Sequence, residues 1–338
     1  MAQNFWFQKK VFITGHSGFL GSHLALHLQR CGAVVFGYSL SPTTTPNYFE
    51  VENVAQGMTS TFSDIRDSDA LKFALQYSQT DIVFHLSGGG GLKDSWNKVS
   101  EVYSSQVLGT VNLLEALRET ATVRAVVILS SDKVYRSSDT SMSFSENDPL
   151  GGNAPASAAK ACCELIVESY LNGIFSPEKY NKHKVAIATA RLGGIIGGGD
   201  FSAESLIHQL AQSCRAGVDL PLKNPDSIRP WLHVDDAVNG LALLGQSLLE
   251  RGPKVVGAWN FGVNADGLAS VAQAKSYFIS EYSGVPAKPV ENSGSPSFHS
   301  GLDCSKAQEF LGWRPQFNSE QSVRRTAQWF KRFDSKVN

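Results

Sequence analysis

The sequence of 338 residues contains only five cysteines, and their spacing argues against two common kinds of stabilising site. The five are Cys31, Cys162, Cys163, Cys214 and Cys304. No two of them form a CxxC pair and their number is odd, so we expect neither a disulfide framework nor a zinc site. We predict no metal site of any kind, and a cytoplasmic location fits this use of cysteine.

Long apolar runs and an excess of one charge are also missing. The first residues, "AQNFWFQKK", are too polar for a signal peptide, and no stretch approaches the roughly 20 apolar residues of a membrane span. The formal net charge is -1, which gives no support for a nucleic-acid or membrane partner. What the chain does have is 42% hydrophobic residues and enough length to bury a large core.

Strand-like and helix-like segments alternate along most of the chain. Apolar strand-like runs occupy residues 10–15, 33–39, 81–88, 123–132 and 184–194, and another ends near 61–67. Amphipathic helical patterns lie between them at 18–32, 67–76, 99–119 and 157–171, and a further one follows at 203–217. This order predicts an α/β fold, a Rossmann-like doubly wound parallel sheet with a smaller C-terminal substrate-binding lobe. We place the sheet domain at 1–192, rejoined at about 230–265, and the lobe at 193–229 and 266–338.

A glycine-rich turn, "TGHSGFLGSHL", follows the first predicted strand and opens the first predicted helix. Its glycines are Gly15, Gly18 and Gly21. A dinucleotide site needs a tight turn, a backbone that can approach a pyrophosphate, and helix N–H groups that face the anion. The strand–turn–helix context therefore favours dinucleotide binding over an ordinary glycine-rich turn.

The choice between NAD and NADP is less clear from the residues. NAD enzymes usually carry an acid after the second strand, but here that segment reads "GYSLSP", with Ser39 and Ser41. No arginine stands there to bind a 2′-phosphate, and Asp64 could serve the adenine side. We predict NAD and leave NADP open.

Several motifs together resemble the extended short-chain dehydrogenase/reductase family. They are the TGxxGxxG spacing, "SSDKVY" after the fifth strand, and a lysine on the following helix. Within that family, "TPNYFE", "IIGGGD", "SIRPW" and "LDCSKAQEFLGW" resemble the CDP-glucose 4,6-dehydratases. The likeness covers nearly the whole chain.

The resemblance implies transient oxidation of a nucleotide sugar at C4, loss of water across C5 and C6, and reduction at C6. It implies that Ser131 holds the sugar O4, that Asp132 and Lys133 handle protons, and that Lys160 binds the nicotinamide ribose. Arg229 matches an arginine that contacts the substrate diphosphate. The implied substrate-binding residues are Ser131, Gly194 and Arg229. The predicted cofactor-binding residues are Gly15, His16, Ser17, Gly18, Phe19, Leu20, Gly21, Asp64, Ile65, Leu86, Ser87 and Lys160.

Five departures from the family pattern stand out, and several of them gather around the sugar-binding region. Ala156 stands where the family has its catalytic tyrosine, four residues before Lys160. Gln106 and Gly194 replace asparagines, residues 87–91 form an unusually glycine-rich loop, and Ser41 stands where an Asp is expected. Departures grouped in this way favour natural divergence over a single engineered change.

Two classes of function therefore remain open. One is an active dehydratase in which Asp132 and Lys133 cover for the absent tyrosine, with a water relaying the O4 proton. UDP-N-acetylglucosamine 4,6-dehydratases offer a parallel, since they also keep the aspartate–lysine pair without the tyrosine. A nucleotide-sugar epimerase or ketoreductase is a variant of this class. The other is a catalytically silent relative that binds NAD and a nucleotide sugar. The resemblance also implies a homodimer that pairs through helices near 99–119 and 157–171.

Overall fold

The computed structural model describes residues 5–88, 94–136, 143–263, 267–286 and 301–337. Its central sheet has seven parallel strands in the order β10-β6-β5-β4-β1-β2-β3. Two two-stranded sheets, β7 with β9 and β8 with β11, lie outside it. The strands are β1 (Lys10–Thr14), β2 (Val34–Ser39), β3 (Met58–Phe62), β4 (Ile82–His85), β5 (Ala125–Ser131), β6 (Ala186–Leu192), β7 (Ile195–Ile196), β8 (Ile228–Arg229), β9 (Leu232–His233), β10 (Gly257–Phe261) and β11 (Ala269–Ser270). The predicted doubly wound parallel sheet is confirmed.

Helices cover the sheet and build the C-terminal part of the chain. They are α1 (Phe19–Arg30), α2 (Tyr48–Val51), α3 (Ser68–Ser78), α4 (Asp94–Asn97), α5 (Val99–Tyr103), α6 (Gly109–Arg118), α7 (Pro155–Asn172), α8 (Tyr180–His183), α9 (Leu206–Ala216), α10 (Val234–Arg251), α11 (Val271–Ser283) and α12 (Ser319–Val337). Two further segments, Ser104–Leu108 and Ala307–Leu311, are π-helical.

Successive side chains of each strand point to opposite faces of the sheet, as expected for the two-residue repeat of a β-strand. Phe12 and Val126 face a core shared with α3, α6 and α7. Ile13 and Val127 face the other core, shared with α1 and α10. Burial on both sides explains why these strands are continuously apolar in the sequence.

A third apolar cluster joins α9, α11 and α12 beyond the main sheet. α11 begins with a capping box in which Ser270 accepts from the Gln273 backbone N–H and Gln273 accepts from that of Ser270. It ends at Gly284, whose φ of +75° suits a residue without a Cβ. β10, by contrast, pairs with β6 in the main sheet. The division into a sheet domain and a substrate-binding lobe stays a prediction.

The long helix predicted at 99–119 differs from the structure in one respect. α5 and α6 are separated by the π-helical turn of Ser104–Leu108, which contains the buried Gln106. The apolar pattern of the sequence continues through the π-helical turn, because such a turn differs from an α-helix in its backbone hydrogen bonds and not in its residue types. The pattern alone therefore could not predict the turn. The predicted helix is therefore three consecutive segments in the structure, namely α5, the π-helical turn and α6.

Candidate active site

The glycine turn between β1 and α1 has the geometry of an anion cradle. Gly15 has a φ of +76°, and a Cβ there would lie 2.9 Å from the Leu86 carbonyl carbon. A Cβ on Gly21 would lie 2.0 Å from the Gly15 oxygen. The chain's own packing therefore requires glycine at both positions.

Gly18 is different, because the chain's own atoms leave room for a side chain there. A Cβ on Gly18 would meet nothing closer than the Gly15 oxygen at 3.4 Å, and its φ of -77° suits any residue. Gly18 is also the N-cap of α1, and no side chain caps the free N–H groups of this helix. Uncapped N–H groups behind a residue without a Cβ fit the pyrophosphate of a dinucleotide.

The side chains of the turn point inward. His16 is fully buried, its Nδ1 lies 3.1 Å from Ser39 Oγ, and its ring packs against Phe49 and Phe62. Ser17 Oγ donates to the Leu40 carbonyl at 2.7 Å. These side chains stabilise the turn, so a phosphate would meet backbone N–H groups there.

Side chains of the first helical turn of α1 and of the neighbouring β4 complete this part of the cradle. Leu20 is buried in the core beneath the turn, and the Phe19 ring is half-buried beside His23. At the end of β4, the Ser87 N–H donates to Thr14 Oγ1 at 3.2 Å. The structure thus brings residues 15–21 together with Leu86 and Ser87.

The residues predicted for the adenine side follow β2 and β3. Ser39 ends β2, two residues before the Ser41 that stands in place of the expected acid, and Ser39 is hydrogen-bonded to Ser17 Oγ at 2.8 Å. Asp64 follows β3 and accepts two hydrogen bonds from the Arg66 guanidinium Nε, at 2.9 Å and 3.0 Å. Those hydrogen bonds from Arg66 lower the pKa of Asp64. Ile65 is buried against Gly109 at the start of α6, so its side chain belongs to the core.

The "SSDK" segment lies at the carboxyl end of β5. Ser131 Oγ donates to Asp132 Oδ1 at 2.9 Å and accepts from the Lys133 backbone N–H at 3.2 Å. Asp132–Val134 form a short 3₁₀ turn directly after the strand. The turn presents one hydroxyl, one carboxylate and one ammonium at the sheet edge where ligands of doubly wound folds bind.

Lys160 reaches the same strand from α7. Its Nζ donates to the Leu129 carbonyl of β5 at 2.9 Å, two residues before Ser131. Burial lowers the pKa of Lys160, partly opposed by the nearby Cys163 and Glu164. Ala156 lies one helical turn earlier, is buried, and brings no titratable group. The Lys160 ammonium thus lies against β5, and the residue one turn before it on α7 is an alanine in place of the family's tyrosine.

A buried hydrogen-bond chain lies beneath Lys160. His85 Nδ1 pairs with Thr14 Oγ1 at 2.8 Å, and His85 Nε2 lies 3.2 Å from Thr110 Oγ1. Thr110 and Cys163 both donate to the Gln106 carbonyl. Burial, assisted by Lys160, lowers the pKa of His85 to about 3, so this histidine is neutral at physiological pH. It links β1, β4 and α6 and has a packing role.

Gln106 and the glycine loop fit each other sterically. Gly88 has a φ of +97°, and a Cβ there would lie 2.7 Å from Gln106 Cγ. The Gln106 Oε1 atom is buried and has no hydrogen-bond partner among the described residues. The rest of the predicted loop, 89–91, lies outside the described residues.

Two of the residues predicted to bind substrate, Gly194 and Arg229, lie on either side of Pro230, which follows Arg229 in the chain and approaches Gly194. A Cβ on Gly194 would lie 3.6 Å from the Pro230 oxygen, so the backbone leaves room for a larger side chain. Arg229 ends β8, and its buried Nε has no hydrogen-bond partner within the described residues. An unsatisfied guanidinium N–H is what a diphosphate contact would satisfy.

Sequence reasoning missed a buried ionic network between α7 and β6. Arg191 Nε and Nη2 donate to Glu164 at 3.0 Å each, and both side chains are only 5% exposed. Arg191 Nη1 also donates to the Tyr135 hydroxyl, which donates to Asn260 Oδ1 on β10. Tyr135, one of the tyrosines nearest the site in sequence, is therefore engaged elsewhere. The signal for this network was an arginine inside the apolar run of 184–194.

Comparison with known proteins agrees with this geometry. The family model described as "GDP-mannose 4,6 dehydratase" matches residues 12–326. CDP-glucose 4,6-dehydratase of Salmonella typhimurium is 35% identical over 331 residues, covering 97% of this chain and 92% of that protein. The predicted resemblance is confirmed.

Two solved structures show the same fold. UDP-glucose-4-epimerase from Stenotrophomonas maltophila, with bound NAD and formylated UDP-arabinopyranose, superposes with a TM-score of 0.79 at 23% identity, covering 98% of this chain and 100% of that chain. The NAD complex of dTDP-glucose 4,6-dehydratase from Bacillus anthracis gives 0.77 at 21% identity, covering 97% and 98%. With a family match over most of its length and a relative at 35% identity, the chain belongs to the GDP-mannose 4,6 dehydratase family.

Proposed function

We propose that this chain is a nucleotide-sugar 4,6-dehydratase that acts on a CDP-glucose-type substrate with bound NAD. The observation that carries the proposal is the arrangement at the end of β5. Ser131 Oγ donates to Asp132 at 2.9 Å, and the Lys160 ammonium is held against the same strand by the Leu129 carbonyl. These groups lie one strand, β4, away from β1 and its glycine turn.

NAD fits the residues of the turn. Gly18 leaves an open approach to the uncapped N-terminus of α1, and the side chains of His16 and Ser17 are turned away from it. NAD, when bound, would supply a hydride acceptor for the sugar C4 and a hydride donor for C6. Lys160 binds the nicotinamide ribose, and Asp64 lies on the adenine side.

The chain's own residues move the protons. Ser131 holds the sugar O4, and a water in the space beside Ala156 carries the O4 proton to Asp132. Asp132 then gives that proton to the C6 hydroxyl, which leaves as water. The Lys133 amine accepts the C5 proton that this elimination releases and returns it to C5 when the hydride reaches C6. The aspartate thus acts first as base and then as acid.

Substrate binding involves Arg229 and the segment around Gly194. The buried Nε of Arg229, without a partner among the described residues, supports a contact with the diphosphate. The open space at Gly194 supports a sugar held less tightly than an asparagine would hold it.

A second candidate is a catalytically silent protein that binds NAD and a nucleotide sugar. The absence of a phenol at Ala156, together with Gln106 and Gly194, favours it. Asp132 and Lys133 favour the active enzyme, because a protein that only binds NAD and a nucleotide sugar needs no pair of groups for proton transfer.

A direct assay separates the candidates. The protein is incubated with NAD and a panel of CDP-, dTDP-, UDP- and GDP-sugars. The masses of the products are measured by mass spectrometry, and their stereochemistry is determined by NMR. Loss of water from one sugar supports the dehydratase, and a changed stereocentre at unchanged mass supports an epimerase. A mass gain of two hydrogens when NADH is supplied supports a ketoreductase. Tight nucleotide-sugar binding without any product contradicts the dehydratase and supports the silent relative.

We further propose a homodimer that pairs through α5, the π-helical turn and α7. Val99, Leu108 and Leu165 are 41%, 49% and 54% exposed on these elements, more than apolar side chains usually are. Light scattering should give twice the chain mass, and Leu165→Glu should give a monomer. A monomeric wild type would contradict this.

A cytoplasmic location accords with five free cysteines. No described helix is long and apolar enough to cross a membrane.

A further inference from the structure

A cavity of about 490 Å³ lies between α1, α10 and α12. Its walls come from the outer side of α1, the first turns of α10 and the middle of α12. None of the residues predicted to bind cofactor or substrate lines it. Its volume falls in the range of roughly 300–1,000 Å³ typical of small-molecule sites.

The cavity is lined by more positive than negative charge. Arg30, Arg325 and Arg332 line it, and Asp235 is the only carboxylate among the lining residues. Asp235 already pairs with Arg325 at 3.3 Å and with His233 at 3.3 Å. Within the described residues, Arg30 and Arg332 have no hydrogen bond or ion pair. Two guanidinium groups thus lie beside one cavity with their donors unused.

Two of the cavity's histidines, His23 and His27, add hydrogen-bonding groups without adding charge. Burial lowers the pKa of His23 to about 4 and also lowers the pKa of His27, so both are neutral at physiological pH. His23 Nε2 lies 2.9 Å from the Gly198 carbonyl oxygen, and its ring stacks on Tyr48 with centroids 3.7 Å apart. The stacked rings and the half-buried Trp329 give the cavity an aromatic wall.

We propose that this cavity binds an organic diphosphate, with the phosphate groups between Arg30 and Arg332 and the organic part against the aromatic wall. Guanidinium groups match phosphate oxygens in pairs, and unused ones can bind without breaking an existing ion pair. A cavity of this volume is larger than a single inorganic ion needs, so a phosphate that carries an organic group fits it better.

Trp329 reports on the cavity directly. The protein is produced with 5-fluorotryptophan, NAD is added, and the fluorine NMR resonance of Trp329 is identified among six by Trp329→Phe. Pyrophosphate is then titrated at constant ionic strength. We expect a saturable shift of the Trp329 resonance. No shift at any soluble pyrophosphate concentration overturns the proposal.

Matched variants locate the binding. Arg30→Gln and Arg332→Gln should each raise the half-saturation concentration by about tenfold, as expected for loss of one charge-assisted contact. Lys331→Gln removes an exposed charge next to Arg332 that does not line the cavity, and should leave the titration unchanged. An equal effect of all three variants would mean general electrostatic screening and would overturn the site.

Two further titrations test whether the Trp329 shift originates in the cavity and whether the ligand is an organic diphosphate. Arg229→Gln should leave the Trp329 titration unchanged, whereas loss of the shift would mean that it is transmitted from the active site and would overturn the proposal. CDP in place of pyrophosphate should saturate at equal or lower concentration, because the organic part gains the aromatic wall. A CDP titration that is tenfold weaker, about 1.4 kcal/mol, overturns the organic diphosphate as ligand.

Discussion

The glycine turn after β1 and the proposed substrate side around Gly194 are constrained very differently by the chain. At the turn, a Cβ on Gly21 would lie 2.0 Å from a backbone oxygen. On the substrate side, a Cβ on Gly194 would approach nothing closer than 3.6 Å. A side chain at Gly15 or Gly21 would therefore clash with the backbone of the fold, whereas a side chain at Gly194 would not. This difference explains how the cofactor side can keep its motif while Ala156, Gln106 and Gly194 depart from theirs.

The sharpest test of the substrate side is Asp132→Asn. The amide keeps an oxygen for Ser131 but cannot take up the O4 proton, so turnover of a confirmed substrate should fall by about 10²–10⁴-fold. The NAD dissociation constant should not change. Asp69→Asn, on the exposed first turn of α3, is the matched control. Unchanged turnover in Asp132→Asn would exclude the proposed proton route.

Both regions rely on a frame that the buried Glu164–Arg191 pair holds together. Glu164→Gln should lower the free energy of unfolding by about 3–5 kcal/mol, because it leaves the Arg191 guanidinium buried without its counter-charge. Urea titration measures the change. Glu168→Gln, exposed on the same helix, should change stability little. If the two variants are equally stable, the pair does not hold α7 against β6.

The cofactor turn should also be sensitive to acid through His16. Burial lowers the pKa of His16 from 6.5 to about 4. The unfolded chain therefore takes up a proton at higher pH than the native one, and stability falls as the pH drops from 6.5 to about 4. The loss from this residue is on the order of 3 kcal/mol at pH 4.

Urea titrations across this pH range measure the effect. His16→Asn should flatten the slope of the unfolding free energy against pH, although the other buried histidines will keep part of it. The same slope in both proteins would contradict a neutral, buried His16.

The smallest expected effect distinguishes glycines that leave space for NAD from glycines that the packing of the turn requires. Gly18→Ala should weaken NAD binding by roughly tenfold, about 1.4 kcal/mol, because the new methyl group occupies the approach to α1. Its unfolding free energy should change by only about 0.5 kcal/mol, since the position is an N-cap with an ordinary φ. Gly21→Ala should lose both stability and binding. Calorimetry with NAD would refute this account if Gly18→Ala bound as tightly as wild type.

Local sequence patterns were sufficient for the main elements. The strand before Gly15 and the helix after Gly18 follow from apolar spacing and glycine placement, and both lie where they were predicted. The burial of β5 and β6 on both faces was also readable from their uninterrupted apolar runs. The π-helical turn at Ser104–Leu108 was not readable, because the apolar pattern continues through it.

Contacts between distant segments were beyond the reach of the sequence. Gly88 and Gln106 each look like an isolated departure, and only their 2.7 Å approach shows that one makes room for the other. Glu164 lies on α7 and Arg191 on β6, and no short-range sequence pattern predicts that they form an ion pair. The cavity is lined by α1, α10 and α12, which are far apart in the sequence. The net charge of its lining therefore cannot be predicted before the fold is known.

The sequence by itself determined the parallel sheet, the anion-binding turn and the family, because these depend on residue type and short-range spacing. The tertiary structure decided which groups are free to act. It turned His16 and Ser17 inward, engaged Tyr135 with Arg191, and held Lys160 against Leu129. It also left the Arg30 and Arg332 side chains beside a cavity without a partner among the described residues. The physical reason is that burial and pairing, which set whether a polar group can bind or transfer a proton, arise from neighbours brought together only by folding.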